Sequence, residues 1–250
     1  MIAVIDYDTG NLCSVANALK RLGVEYHITA DPSEIRSADR VLLPGVGEAS
    51  SAMQKLRERG LVEVIRSLTQ PVLGICIGVQ LLCKSSEEGN AECLGIFDNR
   101  VRKFDTFFVE AGIPWHTDPN SAPSAGCCAS ATPKAAPESS IASMATAKSA
   151  SIDLTSPNTE TAESRLKIPH MGWNSIENLR SGLFDGVDEG SYAYYVHSYA
   201  PEINADTIAT TIYGVPFSAA IHKDNFYGTQ FHPEKSAGIG AQILQNFLKL

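Results

Sequence analysis

No apolar run in this 250-residue chain reaches the length, about twenty residues, that a membrane-spanning helix needs. Positive charge is scarce as well. Lys and Arg number 20 against 28 Asp and Glu, a formal net charge of -8. That balance leaves no electrostatic footprint for nucleic acid or for an anionic membrane. The first residues, Met1-Ile2-Ala3-Val4-Ile5-Asp6-Tyr7, lack a basic flank and begin directly as a strand, so no signal peptide is expected. Six cysteines at irregular spacing do not make a disulfide framework. No Cys-x-x-Cys and no His/Cys cluster suggests a metal, and Cys127-Cys128 lie together in a low-complexity stretch. The expectation is a cytoplasmic protein with reduced thiols, no metal and no cofactor.

What is present is 44% hydrophobic residue, enough for one large α/β domain or two small ones. Ile2 to Asp6 reads as a buried strand. Leu12, Val15, Ala16, Leu19 and Leu22 recur at helical spacing until Gly23 stops them. Val24 to Thr29 is a second strand, Asp31-Pro32-Ser33-Glu34 starts a short helix, and Arg40 to Leu43 is a third strand. This alternation predicts an open, mostly parallel sheet flanked by helices, with ligands bound beyond the carboxyl ends of its strands. Short links between Thr207–Tyr213 and Ser218–Lys223 predict an antiparallel extension. A last helix runs from Ile239 to Leu248, with Ile243, Leu244, Phe247 and Leu248 on one face. From about residue 105 to 165 Ala, Ser, Thr and Pro dominate. That stretch is expected to be a low-complexity surface insertion within a single domain spanning 1–250.

Two loops after strands carry signals. Pro44-Gly45-Val46-Gly47-Glu48 is a glycine-rich turn whose backbone can approach a substrate, although such turns also serve as plain strand–helix links. Gly74-Ile75-Cys76-Ile77-Gly78 joins an apolar strand to a helix opened by Gln80-Leu81-Leu82. A strand that turns at once into a helix crowds the residues beside the apex, and side chains at positions 74 and 78 would collide. That is the layout of a nucleophile elbow, with Cys76 strained at the apex and the N–H of Ile77 aimed where an oxyanion would form. The plain alternative is a cysteine acting as a small core hydrophobe.

A cysteine nucleophile needs a base, and the base an orienting group. Of six histidines, His27 and His222 read as structural and His116 falls in the insertion. His170, His197 and His232 remain, and only His232 has a carboxylate two residues on. An extended chain through Pro233 would put Glu234 on the same face as His232, able to fix its tautomer.

Together these motifs resemble the class I (triad) glutamine amidotransferases, of flavodoxin-like fold. Asp6-Tyr7 with Gly10-Asn11, Pro44 to Gly47, Pro169-His170-Met171-Gly172-Trp173-Asn174 and Tyr195-Val196-His197-Ser198-Tyr199 are similar, more narrowly, to the glutaminase subunits of imidazole glycerol phosphate synthase, of histidine biosynthesis. The resemblance covers nearly everything outside 105–165. It implies a heterodimer with a (β/α)8 cyclase subunit. Glutamine would be hydrolysed to glutamate and ammonia, and the ammonia would travel to the cyclase to make imidazole glycerol phosphate and aminoimidazole carboxamide ribonucleotide. It implies Cys76, His232 and Glu234 as catalytic and Val46, Gly47 and Ile77 as the oxyanion hole. Gly45, Gly47, Gln80, His197, Ser198 and Tyr199 would hold glutamine. Asn11, Met171, Trp173, Tyr194 and Lys235 would face the partner. Cys13 departs from the basic residue common in the family, and the insertion is not typical of it. A glutaminase for another synthase, a non-catalytic regulatory subunit and a cysteine peptidase are the competing readings. The Pro169–Asn174 motif, the intact Cys76, His232 and Glu234, and the partner-facing motifs speak against them in turn.

Overall fold

β1 (Ile2–Ile5) buries all four of its residues, as a strand covered on both faces must. The computed structural model describes residues 1–8, 11–117 and 166–250, all within one compact unit. After β1, α1 (Leu12–Arg21) turns Val15, Ala16, Ala18 and Leu19 inward. β2 (Tyr26–Thr29), α2 (Pro32–Ser37), β3 (Arg40–Gly45), α3 (Ala49–Glu58), α4 (Leu61–Arg66), β4 (Val72–Cys76) and α5 (Ile77–Leu82) continue the alternation. The start of α2 is coded locally. The Asp31 carboxylate accepts the backbone N–H groups of Ser33 and Glu34 at 2.7 and 3.3 Å, and Pro32 takes the first helical position, where a missing N–H is no loss.

Next come β5 (Ser85–Ser86), β6 (Ala91–Glu92), β7 (Arg100–Lys103), α6 (Phe104–Ala111), β8 (Trp115–Thr117), β9 (Leu166–Ile168), β10 (His170–Ser175) and β11 (Tyr192–His197). β12 (Tyr199–Pro201), β13 (Thr207–Tyr213), β14 (Val215–Lys223), β15 (Phe226–Thr229) and α7 (Ala237–Phe247) complete the described chain. The main sheet has seven strands in the order β13-β14-β15-β4-β3-β1-β2. β15, β4, β3, β1 and β2 are parallel, and β14 and β13 add the antiparallel edge. This is the open, mostly parallel sheet with an antiparallel extension that the alternation predicts. β13 turns into β14 through Gly214 alone, at φ +70, where a larger residue would meet the side chains of Leu166 and Phe108. A smaller sheet, β12-β7-β5-β6, the β10–β11 hairpin and the parallel pair β8–β9 stand apart from it. No helix among the described residues is long and apolar enough to cross a membrane.

The expected surface insertion begins too early. Residues 105–111 belong to α6 and 115–117 to β8, and α6 is anchored in the core. Phe104 and Phe108 are fully buried and stacked at 5.5 Å, and Phe104 also packs on His170, His197, Tyr213 and Phe217. Phe104, Phe107 and Phe108 sit at helical i, i+3, i+4 spacing, a signal submerged by the composition of the residues that follow. Residues 118–165, with Cys127 and Cys128, lie outside the described residues, as does Gly10.

The parallel strands end together. Gly45 of β3 pairs with Cys76 of β4, and Thr229 of β15 pairs with Ile75. Loops leaving β3, β4 and β15 therefore start side by side at one edge of the sheet, where such folds bind ligands.

Candidate active site

Cys76 closes β4 and the next residue opens α5. Its backbone sits at φ 54, ψ -111, a conformation that L-residues seldom adopt and that surrounding structure must enforce. The enforcement is visible at the two flanking glycines. A Cβ on Gly74 would stand 2.7 Å from the Gly78 carbonyl carbon. A Cβ on Gly78 would overlap the Leu43 carbonyl oxygen and lie 2.9 Å from its carbon. The collision that the motif implied is thus real, and it involves β3 as well as the elbow. Gly45 is equally tight, since a Cβ there would meet the Tyr7 hydroxyl at 2.6 Å and Ile77 at 2.8 Å. Tyr7 in turn donates to the Pro44 carbonyl at 2.8 Å, bracing the turn that leads to Val46 and Gly47. Val46 is exposed, and Gly47 takes φ +95 with nothing within 4 Å of a would-be Cβ. Of the three expected oxyanion residues, Ile77 follows the buried Cys76 directly, and Val46 and Gly47 follow Gly45, whose strand position pairs with Cys76.

His232 lies just beyond β15. Its Nδ1 donates to Glu234 Oε1 at 2.8 Å, with both side chains almost wholly buried. The contact is made differently from the sequence expectation. The chain is extended only at His232, and Pro233–Lys235 then forms a 3-10 turn that folds Glu234 back to the ring. Ser236 fixes that turn, its hydroxyl donating to the His232 carbonyl at 2.7 Å while accepting the Tyr194 N–H at 3.0 Å. The His232 N–H donates to the Tyr194 carbonyl at 2.9 Å. Because a carboxylate only accepts, Nδ1 carries the proton and Nε2 remains for chemistry. Nε2 is buried with no hydrogen-bond partner among the described residues. Burial alone would push the imidazolium pKa down. The charge of Cys76, then that of Glu234, outweighs it and pushes His232 up to about 10.

The glutamine-binding candidates divide. Gln80 is buried, its Nε2 donating to the Tyr199 carbonyl at 3.1 Å and to Gln230 Oε1 at 2.9 Å. His197 is buried too, 5.2 Å from the Phe104 ring and 3.0 Å from His170. Burial holds His170 down to about 3, and burial with the nearby His170 holds His197 well below the usual range, so both stay neutral. Ser198 and Tyr199 are half-buried, and the Ser198 carbonyl accepts from the Phe104 N–H at 3.0 Å. Gln230, which the sequence reading passed over, is fully buried and reaches Cys76 Sγ at 3.8 Å. Its place directly before Phe231-His232 was the only available signal.

Of the partner-facing candidates, four cluster. Met171 and Trp173 on β10 are 60% and 51% exposed, a level at which large apolar side chains invite a partner. Trp173 meets Tyr194 edge-on at 5.9 Å, and the Lys235 ammonium stands 6.0 Å over the Tyr194 ring. Asn11 lies at the start of α1, a helix that packs against the 233–235 turn. Cys13 is exposed. His222 stacks on Tyr227 at 4.1 Å, a structural place. Among the described residues no group of His, Cys, Asp and Glu could hold a metal.

This fold, with a cysteine at its elbow, is that of a class-I glutamine amidotransferase, and the family model "Glutamine amidotransferase class-I" matches residues 3–250. The structure of PurLQS from Thermotoga maritima shares the fold, with a TM-score of 0.57 at 12% identity over 99% of this chain and 97% of that one. The chain is 43% identical over 249 residues to imidazole glycerol phosphate synthase subunit HisH of Bacteroides fragilis (strain YCH46), covering 100% of this chain and 99% of the relative. It is 38% identical over 251 residues to the subunit of the same name from Escherichia coli (strain K12), with the same coverage. The chain belongs to the HisH branch of the class-I glutamine amidotransferases.

Proposed function

We propose that this chain is the glutaminase subunit of an imidazole glycerol phosphate synthase in histidine biosynthesis, with Cys76, His232 and Glu234 as its catalytic triad. The observation that carries the reading is a cysteine forced to φ 54 at the end of β4, beside a buried His232–Glu234 pair at the end of β15. The Cys76 thiolate attacks the side-chain amide carbon of glutamine. The N–H of Ile77 and one N–H of Val46 or Gly47 hold the oxyanion. His232 gives its Nε2 proton to the departing nitrogen, and ammonia leaves a thioester on Cys76. The now neutral imidazole takes a proton from water, the hydroxide adds to the thioester, and glutamate departs as the thiolate re-forms. Glu234 holds the ring throughout.

Ammonia then passes to a cyclase subunit docked on the Met171, Trp173, Tyr194 and Lys235 surface, in the cytoplasm. A glutaminase that leaks ammonia is wasteful, and a donor in the Val46–Gly47 turn is the candidate switch. Gly47 sits at φ +95, a backbone conformation that glycine adopts without strain. One misaligned oxyanion donor lowers the rate on the order of 10²–10³. Glutamate release should therefore be slow from the chain alone and strongly stimulated by the cyclase with its nucleotide ligand. Stimulated release that vanishes in Cys76→Ala is the expected result. No release in either condition from a folded chain that still binds the cyclase would favour a regulatory subunit instead.

A further inference from the structure

Gln230 follows β15 directly and has one amide end toward Gln80 and the other toward Cys76. Which end is which is set by a backbone carbonyl. The Tyr199 carbonyl can only accept, and Gln80 lies 3.1 Å from it, so Gln80 turns its NH2 there. The same NH2 gives its other hydrogen to Gln230 Oε1 at 2.9 Å. The Gln230 NH2 is then left facing Cys76 Sγ at 3.8 Å.

The anchoring carbonyl is itself held. His197 Nδ1 donates to it at 2.7 Å, which makes His197 Nε2 an acceptor. His170 Nδ1 donates to that nitrogen at 3.0 Å, and the Asn174 amide donates to His170 Nε2 at 3.3 Å. Both rings are kept neutral by burial, so every proton in this series has one place. The series runs without a break from β10 to the sulfur.

We infer that Gln230 is a hydrogen-bond donor to the Cys76 sulfur that stabilises its thiolate, and that Gln80 is the positioning residue that aims it. A thiol accepts hydrogen bonds weakly, whereas a thiolate accepts them strongly, so a fixed N–H favours the charged form. Gln80 has both amide hydrogens occupied, and its Oε1 is buried without a partner among the described residues. Its amide nitrogen thus serves Gln230. The inference rests on Cys76 as the reactive nucleophile, but its test needs no turnover.

The test is the pH profile of Cys76 alkylation by iodoacetamide on the full-length chain, read by peptide mass so that exposed Cys13 does not interfere. Gln230→Leu removes the donor and should raise the midpoint by about one pH unit, with a several-fold slower reaction at neutral pH. Gln230→Glu keeps an acceptor for Gln80 but sets a carboxylate against the sulfur, and should raise it further. Gln80→Leu frees the amide and should move the midpoint the same way by less. As a measurement needing no substitution, the side-chain amide proton of Gln230 should titrate in the NMR spectrum with the midpoint of Cys76 alkylation. An unchanged midpoint in Gln230→Leu, or an amide proton that stays flat through that titration, would overturn the inference. A chain that shows these shifts yet never hydrolyses glutamine would sink the glutaminase reading and leave the donor standing.

Discussion

Replacing Gly78 by alanine should damage this protein more than its one added methyl suggests. The new Cβ would overlap the Leu43 carbonyl oxygen and stand 2.9 Å from the carbonyl carbon, where about 3.5–4.0 Å is a relaxed carbon contact. Leu43 is a fully buried residue of β3, hydrogen-bonded into the middle of the sheet, so the obstacle is backbone and no side chain can swing away. To clear the carbonyl oxygen as well, β3 and α5 would have to part by more than about 1 Å. Overpacking of this kind costs about 1–3 kcal/mol, and a backbone obstacle puts Gly78→Ala at the upper end. For a domain of this size that is a fall of about 6–12 °C in Tm. The control is Gly47→Ala. There the added Cβ meets nothing, and only the strain at φ +95 remains, about 1–2 kcal/mol. The assay is thermal unfolding by circular dichroism, with glutamate release on whatever stays folded. Gly78→Ala should also lose activity by about 10²-fold, because a 1 Å displacement reaches Cys76 directly. If Gly78→Ala melted with the unaltered chain and Gly47→Ala did not, the elbow would not press on β3 as described.

Glu234→Gln keeps an acceptor for His232 Nδ1 but removes the charge, so the imidazolium pKa should drop and glutamate release should fall by about 10²-fold or more, read as a shifted pH–rate profile. His232 has a folded pKa raised to about 10 from 6.5, so its contribution to stability is complete below about pH 6.5 and disappears as pH climbs through 10. Cys76→Ala removes the largest influence that raises this value, and its imidazole NMR signals should titrate well below those of the unaltered chain. His170 behaves oppositely. Its folded pKa, near 3, lies below the unfolded value, so acid favours unfolding between about pH 6.5 and 3, by up to about 1.4 kcal/mol per pH unit. In urea titrations that slope should flatten in His170→Gln, and an equal slope in both chains would refute it. Phe104→Ala should cost about 3–5 kcal/mol in the same titration, since Phe104 sits at the centre of the aromatic cluster; a change below 1 kcal/mol would return α6 to the surface.

What the sequence carried was whatever short-range sterics encode. Gly74 announced its collision because the local strand-to-helix turn produces it, whereas the obstacle to Gly78, the Leu43 carbonyl of β3, lies far off in sequence. The β-α-β alternation likewise announced the parallel sheet. His232 and Glu234 were paired correctly on spacing, yet through an extended segment that the 3-10 turn at Pro233–Lys235 replaces, since i, i+2 proximity fits either geometry. Gln230 could not be read at all. Its partners, Gln80 and Cys76, are 150 and 154 residues away in sequence, and only the β15–β4 pairing brings them together. His170 and His197 were weighed singly as bases, whereas their meaning lies in the bond between them and in the Tyr199 carbonyl beneath. Phe104 and Phe108 were hidden by the company they keep in sequence, a low-complexity stretch that dominates any windowed average.

The bond from the His232 N–H to the Tyr194 carbonyl has a bearing on how such a chain can change over generations. Tyr194 presents its ring to Trp173 and Lys235 on the outer surface, and its main chain to His232. A substitution that resculpts the outer surface by shifting β11 would also shift the imidazole, so the two cannot drift separately. Change at this surface is therefore confined to side chains that swap without moving the strand. With this surface as the proposed docking site, lineages that exchange one partner for another should show their differences at the exposed Met171 and Trp173 before they show any at the hydrogen-bonded frame behind them.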